Sequence, residues 1–262
     1  MHRGSRRVSS TPGCRGLRRW RRPGLRRDGR IVAKEIAAEL GLSEDSIRRD
    51  LRELDAQGLA VRVYGGALPA SPAVADYAAR AAVAPESKQR VAAAAVALIE
   101  PGSTVILDGG TTTLAMAHEL SKSFRGTIIT HSPTIAAALL DHEAEVFLIG
   151  GRVFKHSAVA CGAVAVEAAG QISADLFFLG VTGIHPAAGL TTGDAEEAAM
   201  KRALAARAAA TYVLGSAEKI GTASRYTVFP LDAVAGVITD KPRNAPMSRT
   251  LAKAGATLVH AG

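Results

Sequence analysis

AKEIAAELGLSEDSIRRDLRELDAQGLAVRVYGG, residues 33–66, decides how the first part of this chain folds. Ala33, Ile36, Ala37 and Leu40 fall at i, i+3, i+4 and i+7, the spacing of one buried helical face. Gly41 supplies a left-handed stop. Ser43 is a natural N-cap, able to accept from the amide of Asp45 or Ser46, and Glu44 and Asp45 suit the positive end of a helix. Ile47, Leu51 and Leu54 form the apolar stripe of the second helix, which turns Ser46, Arg48, Arg49 and Arg52 outward. Two helices joined by so tight a turn predict a helix-turn-helix whose second member can enter a major groove. Any αα-hairpin with a solvated outer face would show the same spacing. Two details favour nucleic acid: arginines are paired with small hydroxyls at the helix start, and the hairpin VRVYGG that follows forms a plausible wing from which Arg62 reaches a DNA backbone.

Beyond this stretch the charge is uneven. Of 32 Lys and Arg and 24 Asp and Glu, eleven Arg and one Asp fall in the first thirty residues, leaving 21 basic and 23 acidic groups for the other 232. Nearly all of the net +8 is therefore an N-terminal tail. Residues 1–29 offer only Leu17, Trp20 and Leu25 for a supporting helix, and Pro23-Gly24 interrupts it. Three readings stand: a basic arm that gathers phosphates, a poor first helix, or a mis-framed segment.

Cys14 and Cys161 belong to no CxxC or Cys/His cluster, so neither a metal nor a disulfide framework is indicated. The two isolated cysteines suit a reducing cytoplasm. No apolar run approaches a membrane span, the longest being Val91–Ile99, and no apolar stretch follows the basic start as a secretory leader requires. Residues 30–68 are thus expected to form a winged helix-turn-helix (all-α with a small β wing) and residues 69–87, rich in Ala and Pro, a linker. Residues 88–262 alternate helix and strand. Strands are expected at 104–108, 127–130, 145–151, 176–181, 211–216, 235–240 and 256–262, with helices at 88–100, 111–121 and 132–140 and near 163–171 and 194–209. Short apolar runs separated by helices predict an α/β domain on a mainly parallel sheet, which binds ligands at the carboxyl ends of its strands.

The sharpest motif of this half is DGGTTT, Asp108, Gly109, Gly110, Thr111, Thr112 and Thr113, between a strand and a helix. Its glycines permit close backbone approach, and its threonine amides and hydroxyls point from a helix N-terminus. It is a phosphate cradle without a Walker lysine, or a Gly-Gly turn capped by threonines for structure alone. THS (130–132), Gly150-Gly151, GVTGI (180–184), GLTTGD (189–194) and Lys219 could line the same crevice.

The wording ELGLSEDSIRRDLRELDAQGLAVRVYGGA strongly resembles the winged helix-turn-helix of the DeoR family of bacterial transcription regulators. VILDGGTTT, IITHS, VFLIGG, DLFFLGVTGI…GLTTGD and EKIG resemble that family's C-terminal sensor domain. The resemblance implies a fold related to ribose-5-phosphate isomerase and the CoA transferases, and a repressor of carbohydrate genes that binds double-stranded operator DNA; one small reader gives a limited interface, so a homo-oligomer on repeated or palindromic half-sites is expected. It implies a phosphorylated sugar effector and no cofactor, with Asp108–Thr113 on the phosphate side and Thr130, Ser132, Gly150, Gly151 and Lys219 completing the pocket. His131 stands where the family usually has Asn, and Ser216 where Asp is common, which bears on ligand identity. The rival is a sugar-phosphate-binding protein or isomerase-like enzyme without effective DNA binding. Its nearest candidates for acid-base work are Asp175, Asp194, Glu196, Glu197 and Lys201. No dense acidic cluster accompanies them, and no catalytic residue is assigned.

Overall fold

The computed structural model describes residues 29–74 and 76–262, so the readings of the Arg-rich tail lie outside the described residues. The chain parts into two compact units between Ala70 and Ser71.

In the first unit, strand β1 (Ile31–Val32) leads into helices α1 (Ala33–Leu40) and α2 (Glu44–Ala56), followed by strands β2 (Ala60–Val63) and β3 (Gly66–Pro69). Gly41, at φ +62°, stops α1. Ser43 caps α2 by accepting from the Ser46 amide at 3.2 Å. Ile36, Ile47, Leu51 and Leu54 bury the apolar stripes of both helices against one another. The wing is larger than the expected hairpin, because β1 pairs antiparallel with β3 on the side away from β2.

The second unit opens with a short 3-10 turn at Pro72–Val74 and helix α3 (Tyr77–Ala81), capped by Asp76. Residues 69–87, expected as a linker that ends by docking on the second domain, carry this turn and helix. The Ser71 amide donates to Ala223 O at 3.2 Å, its hydroxyl donates to Thr182 O, and Tyr77 meets Thr134. The Ser71 and Tyr77 side chains thus tie the segment to the second unit.

The remaining elements follow in chain order. They are α4 (Pro85–Val96), β4 (Thr104–Leu107), α5 (Thr111–Glu119), β5 (Thr127–Thr130), α6 (Pro133–Ala138), β6 (Glu145–Leu148), β7 (Arg152–Phe154), β8 (Val159–Cys161) and α7 (Ala163–Ala169). Then come β9 (Ala174–Leu179), β10 (Gly183–His185), β11 (Gly189–Thr192), α8 (Ala195–Ala205), β12 (Ala208–Leu214), β13 (Tyr226–Phe229), β14 (Gly236–Thr239), α9 (Pro246–Lys253) and β15 (Leu258–His260).

Seven strands form one parallel sheet in the order β15-β14-β12-β9-β4-β5-β6. Its two faces are buried separately: Ile106, Ile129 and Phe177 lie in one apolar core, and Leu107, Ile128 and Phe178 in the other. Buried on both faces, these strands read as continuous apolar runs. The chain lays down β4, β5 and β6 in one direction, then returns to place β9, β12, β14 and β15 in the other. The strand order therefore reverses between β4 and β9, and an open α/β sheet leaves its ligand crevice at the carboxyl ends flanking such a reversal. Two antiparallel additions, the hairpin β7-β8 and the sheet β10-β11-β13, were not separated from their surroundings by sequence pattern.

Candidate functional site

The reader helix α2 keeps Arg48, Arg49 and Arg52 exposed, as its apolar stripe requires. Arg48 lies 2.7 Å from Glu44 one turn earlier, a pair exposed enough to be broken at little cost. The Ser43 and Ser46 hydroxyls lie 2.9 Å apart at the helix start. Arg62 is exposed on β2 while its amide donates to Asp55. Tyr64, fully exposed at the wing tip, was not singled out by sequence reasoning, since one aromatic in a hairpin carries no periodic signal.

In the second unit, β4 ends at Leu107 and the chain turns through Asp108, Gly109 and Gly110 into α5. Asp108 is fully buried and faces the protein. Its Oδ1 accepts from the Gly109 amide and from His131 Nε2, each at 2.8 Å. Its Oδ2 accepts from the Gly180 amide at 2.8 Å and from Lys201 Nζ at 2.6 Å. One carboxylate thus ties β4, β5, β9 and α8 together. Asp108, expected on the phosphate side of the pocket, is occupied by these four donors and does not line the cavity described below. Burial alone would push its carboxyl up, but the Lys201 ammonium and the bonded His131 outweigh that and hold it at about 2. Lys201, by contrast, is raised: burial pulls its ammonium down, and Asp108 and Glu197 more than restore it.

Above this knot lies a cavity with about 440 Å3 of empty space, its open mouth included. Its floor is backbone from the two strand ends at the reversal. A Cβ on Gly109 would lie 1.9 Å from Val159 Cγ1, and one on Gly180 would lie 2.7 Å from Gly109 O. One wall is the start of α5, where Gly110 offers no capping side chain and leaves the first amides without an intrahelical acceptor. Thr111, Thr112 and Thr113 line it, with Lys219 beyond. Lys219 Nζ donates to Thr112 Oγ1 at 2.9 Å and to Leu214 O at 3.0 Å. Burial pushes that ammonium down to about 8; Glu218 opposes the fall and Lys88, Arg80 and Lys201 add to it.

Four cationic side chains and two carboxylates face this space. Three atoms on its wall are buried without a hydrogen-bond partner: Thr113 Oγ1, Arg80 Nε and Glu218 Oε2. Buried polar atoms are rarely left so. Two of them can donate and the third can only accept when ionised.

Gly109, Gly110, Thr111, Thr112, Thr113 and Lys219 are thus brought together, whereas Thr130, Ser132, Gly150 and Gly151 do not line the cavity. Thr130 Oγ1 accepts from the Ser132 amide, and the Ser132 hydroxyl donates to Ala158 O, so both hold the turn after β5. Gly150 and Gly151 are exposed after β6. These four follow strands one and two places away from the reversal, which sequence alone did not rank. Arg80, Lys88 and Glu218 were missed. A signal for the first two was present in cations set within an Ala-rich stretch.

The acids weighed for catalysis are engaged. Asp175 accepts from the Thr104 amide, Asp194 caps α8, and Glu196 pairs with Arg152. Glu197 lies 3.2 Å from Lys201 and accepts from Ser157 and Thr192. Cys161 is buried, its thiol pushed up to about 12 by desolvation and Glu197.

A helix-turn-helix with an arginine-bearing outer face, joined in one chain to an α/β unit with a polar cavity at the strand reversal, defines a DNA-binding transcriptional regulator. Residues 24–72 match the DeoR-like helix-turn-helix domain, and residues 83–241 match the DeoR C-terminal sensor domain. The chain belongs to the DeoR family of transcriptional regulators. It is 34% identical over 236 residues to the transcriptional regulator GlpR of Haloferax volcanii, covering 88% of this chain and 91% of the relative. It is 30% identical over 220 residues to the glycerol-3-phosphate regulon repressor of Escherichia coli K12, covering 83% and 87%. Among solved structures, ribose 5-phosphate isomerase A of Methanocaldococcus jannaschii aligns at 16% identity with a TM-score of 0.34, over 48% of this chain and 50% of that one, a likeness too slight to build on.

Proposed function

We propose that the protein is a repressor of carbohydrate genes whose grip on its operator is set by a phosphorylated sugar or related metabolite bound in this cavity. The observation that carries the reading is the set of unpartnered polar atoms on a cationic wall. A ligand with an anionic group and hydroxyls satisfies Thr113, Arg80 and Glu218 together, and the start of α5 and Lys219 favour the anion. That the glycerol-3-phosphate regulon repressor of E. coli K12 is a relative supports the reading of a repressor tied to phosphorylated metabolites.

Ser43, Ser46, Arg48, Arg49, Arg52 and Arg62 form the DNA-facing set, with the arginines on bases or phosphates. The cavity binds and does not catalyse: the acids considered as bases are spent on caps and ion pairs, which supports sensing over isomerisation. Among the described residues no helix is long and apolar enough to cross a membrane, and the reading places the protein in the cytoplasm. One small reader offers limited interface, so operator binding is by a homo-oligomer on repeated half-sites.

A thermal-shift screen against phosphorylated sugars tests the reading, with the responding compound then titrated into an operator gel shift. The expected result is a stabilising phosphorylated compound that changes DNA affinity. A compound set without effect on either, or turnover of a sugar phosphate at an appreciable rate, overturns it.

A further inference from the structure

Arg80 sits on α3, in the segment Ser71–Val83 that leads from the reader unit into the sensor unit. Its side chain is more than nine-tenths buried, and no carboxylate pairs with it among the described residues. A buried guanidinium normally has such a partner. Instead Nη2 donates to His156 O at 3.0 Å, the group lies 5.7 Å from the Tyr77 ring centroid, and Nε has no partner. The same side chain lines the cavity, together with Ala73 and Val83 of its own segment. The segment is held at both ends. Ser71 is bonded to Thr182 and Ala223, and the Lys88 ammonium donates to the Arg80 carbonyl. Ala84, at φ +47°, then turns the chain into α4 in a conformation alanine rarely adopts.

We propose that Arg80 is an effector ligand: its guanidinium closes on the anionic group held by the start of α5, so that occupancy of the cavity tightens the connector itself. Arginine suits this role, since its planar fork meets phosphate oxygens in fixed geometry. The Glu197 and Asp76 carboxylates act on Arg80 without an ion-pair contact, so the anion supplies the contacting counter-charge, and the wall it completes belongs to the connector rather than to a sheet strand. Binding energy then acts on the one covalent path to the reader, which is the differential contact that allosteric control requires. This rests on the reading that the cavity takes an anionic metabolite.

The test is hydrogen exchange on the full chain titrated with inorganic phosphate, in the native protein and in Arg80→Met and Arg80→Lys. In the native protein, phosphate slows exchange at Gly110–Thr113 and also at Tyr77–Val83. Arg80→Met weakens phosphate at least tenfold, and at saturation only Gly110–Thr113 remains protected. Arg80→Lys, which keeps the charge and the stem, covers the case in which the methionine variant does not fold; it binds several-fold more weakly and also loses protection at Tyr77–Val83. No protection at Gly110–Thr113 in the native protein overturns the anion cavity and this inference with it. Protection there without protection at Tyr77–Val83, or unchanged affinity in the variants, overturns the role of Arg80 alone.

Discussion

Lys201 Nζ lies 2.6 Å from Asp108 Oδ2, with neither side chain reaching solvent. The pair joins α8 to the end of β4 directly beneath the cavity floor. Removing one partner strands the other charge in the interior. Lys201→Met is expected to destabilise the sensor unit by ~3–5 kcal/mol in urea unfolding. A cost below ~1 kcal/mol would show that solvent reaches Asp108 in the native state.

The same pair sets a pH window. Asp108 is held at about 2 in the folded protein against an ordinary 3.8, so its contribution is full above 3.8 and is lost as pH falls through about 2. Lys201 is raised above 10.5, so its contribution is full below that value and fades as pH climbs past the folded one. Between pH 4 and 2 the sensor unit should lose about 2 kcal/mol attributable to Asp108. Lys201→Met should flatten that slope, measurable by urea titrations at half-unit steps; a slope identical in the variant rules out this origin.

Thr113 carries a buried hydroxyl with no partner, which is a cost without ligand and a contact with it. Thr113→Val, nearly isosteric, should leave the empty protein as stable or up to ~1 kcal/mol more so. It should also shrink the thermal shift given by a phosphorylated ligand. Gly110→Val should abolish that shift, by strain at φ +123° and by bulk at the helix start. Full retention of the shift in both variants removes α5 from the site.

Lys219, pushed down to about 8, must be protonated to serve an anion, and a bound anion raises its pKa. A phosphomonoester is mainly dianionic above about 6. Affinity should therefore peak near pH 7 and fall as pH rises past 8, by up to about tenfold per unit while the free ammonium is being lost. Calorimetry at pH 7 and 9 measures it. Lys219→Met should bind more weakly and show no decline above pH 8; a native profile flat to pH 9.5 excludes the ammonium from binding.

On the reader, Arg48→Ala and Arg49→Ala should each weaken operator binding by ~1–3 kcal/mol if they read bases. If they meet phosphates, the loss should be uniform across DNA sequences, and the salt slope should fall by about one. Gel-shift titrations at two salt concentrations separate the cases. Unchanged affinity in both variants would move recognition off this face of α2.

Much of the fold was legible because local chemistry fixed it. Gly41 stops a helix, Ser43 caps the next, and the runs at 104–107, 127–130 and 236–239 are apolar on both faces, as a covered parallel sheet demands. The cradle at Gly109–Thr113 was legible for the same reason. What sequence could not supply was order across the sheet. Thr130, Ser132, Gly150 and Gly151 end strands as Gly109 does, but only β4 and β9 flank the reversal. The direction of Asp108 was likewise undetermined, because its donors come from positions 131, 180 and 201 as well as its neighbour. Arg80 was hidden by composition, since no motif marks its place on the cavity wall.

The facing glycines at 109 and 180 leave the cavity with a floor that has no side chain to exchange. Any change of specificity in the proposed cavity therefore falls to its walls, where Val83 and Glu218 lie outside the strands. An engineer wanting a sensor for a different metabolite would hold the floor constant and randomise those two positions.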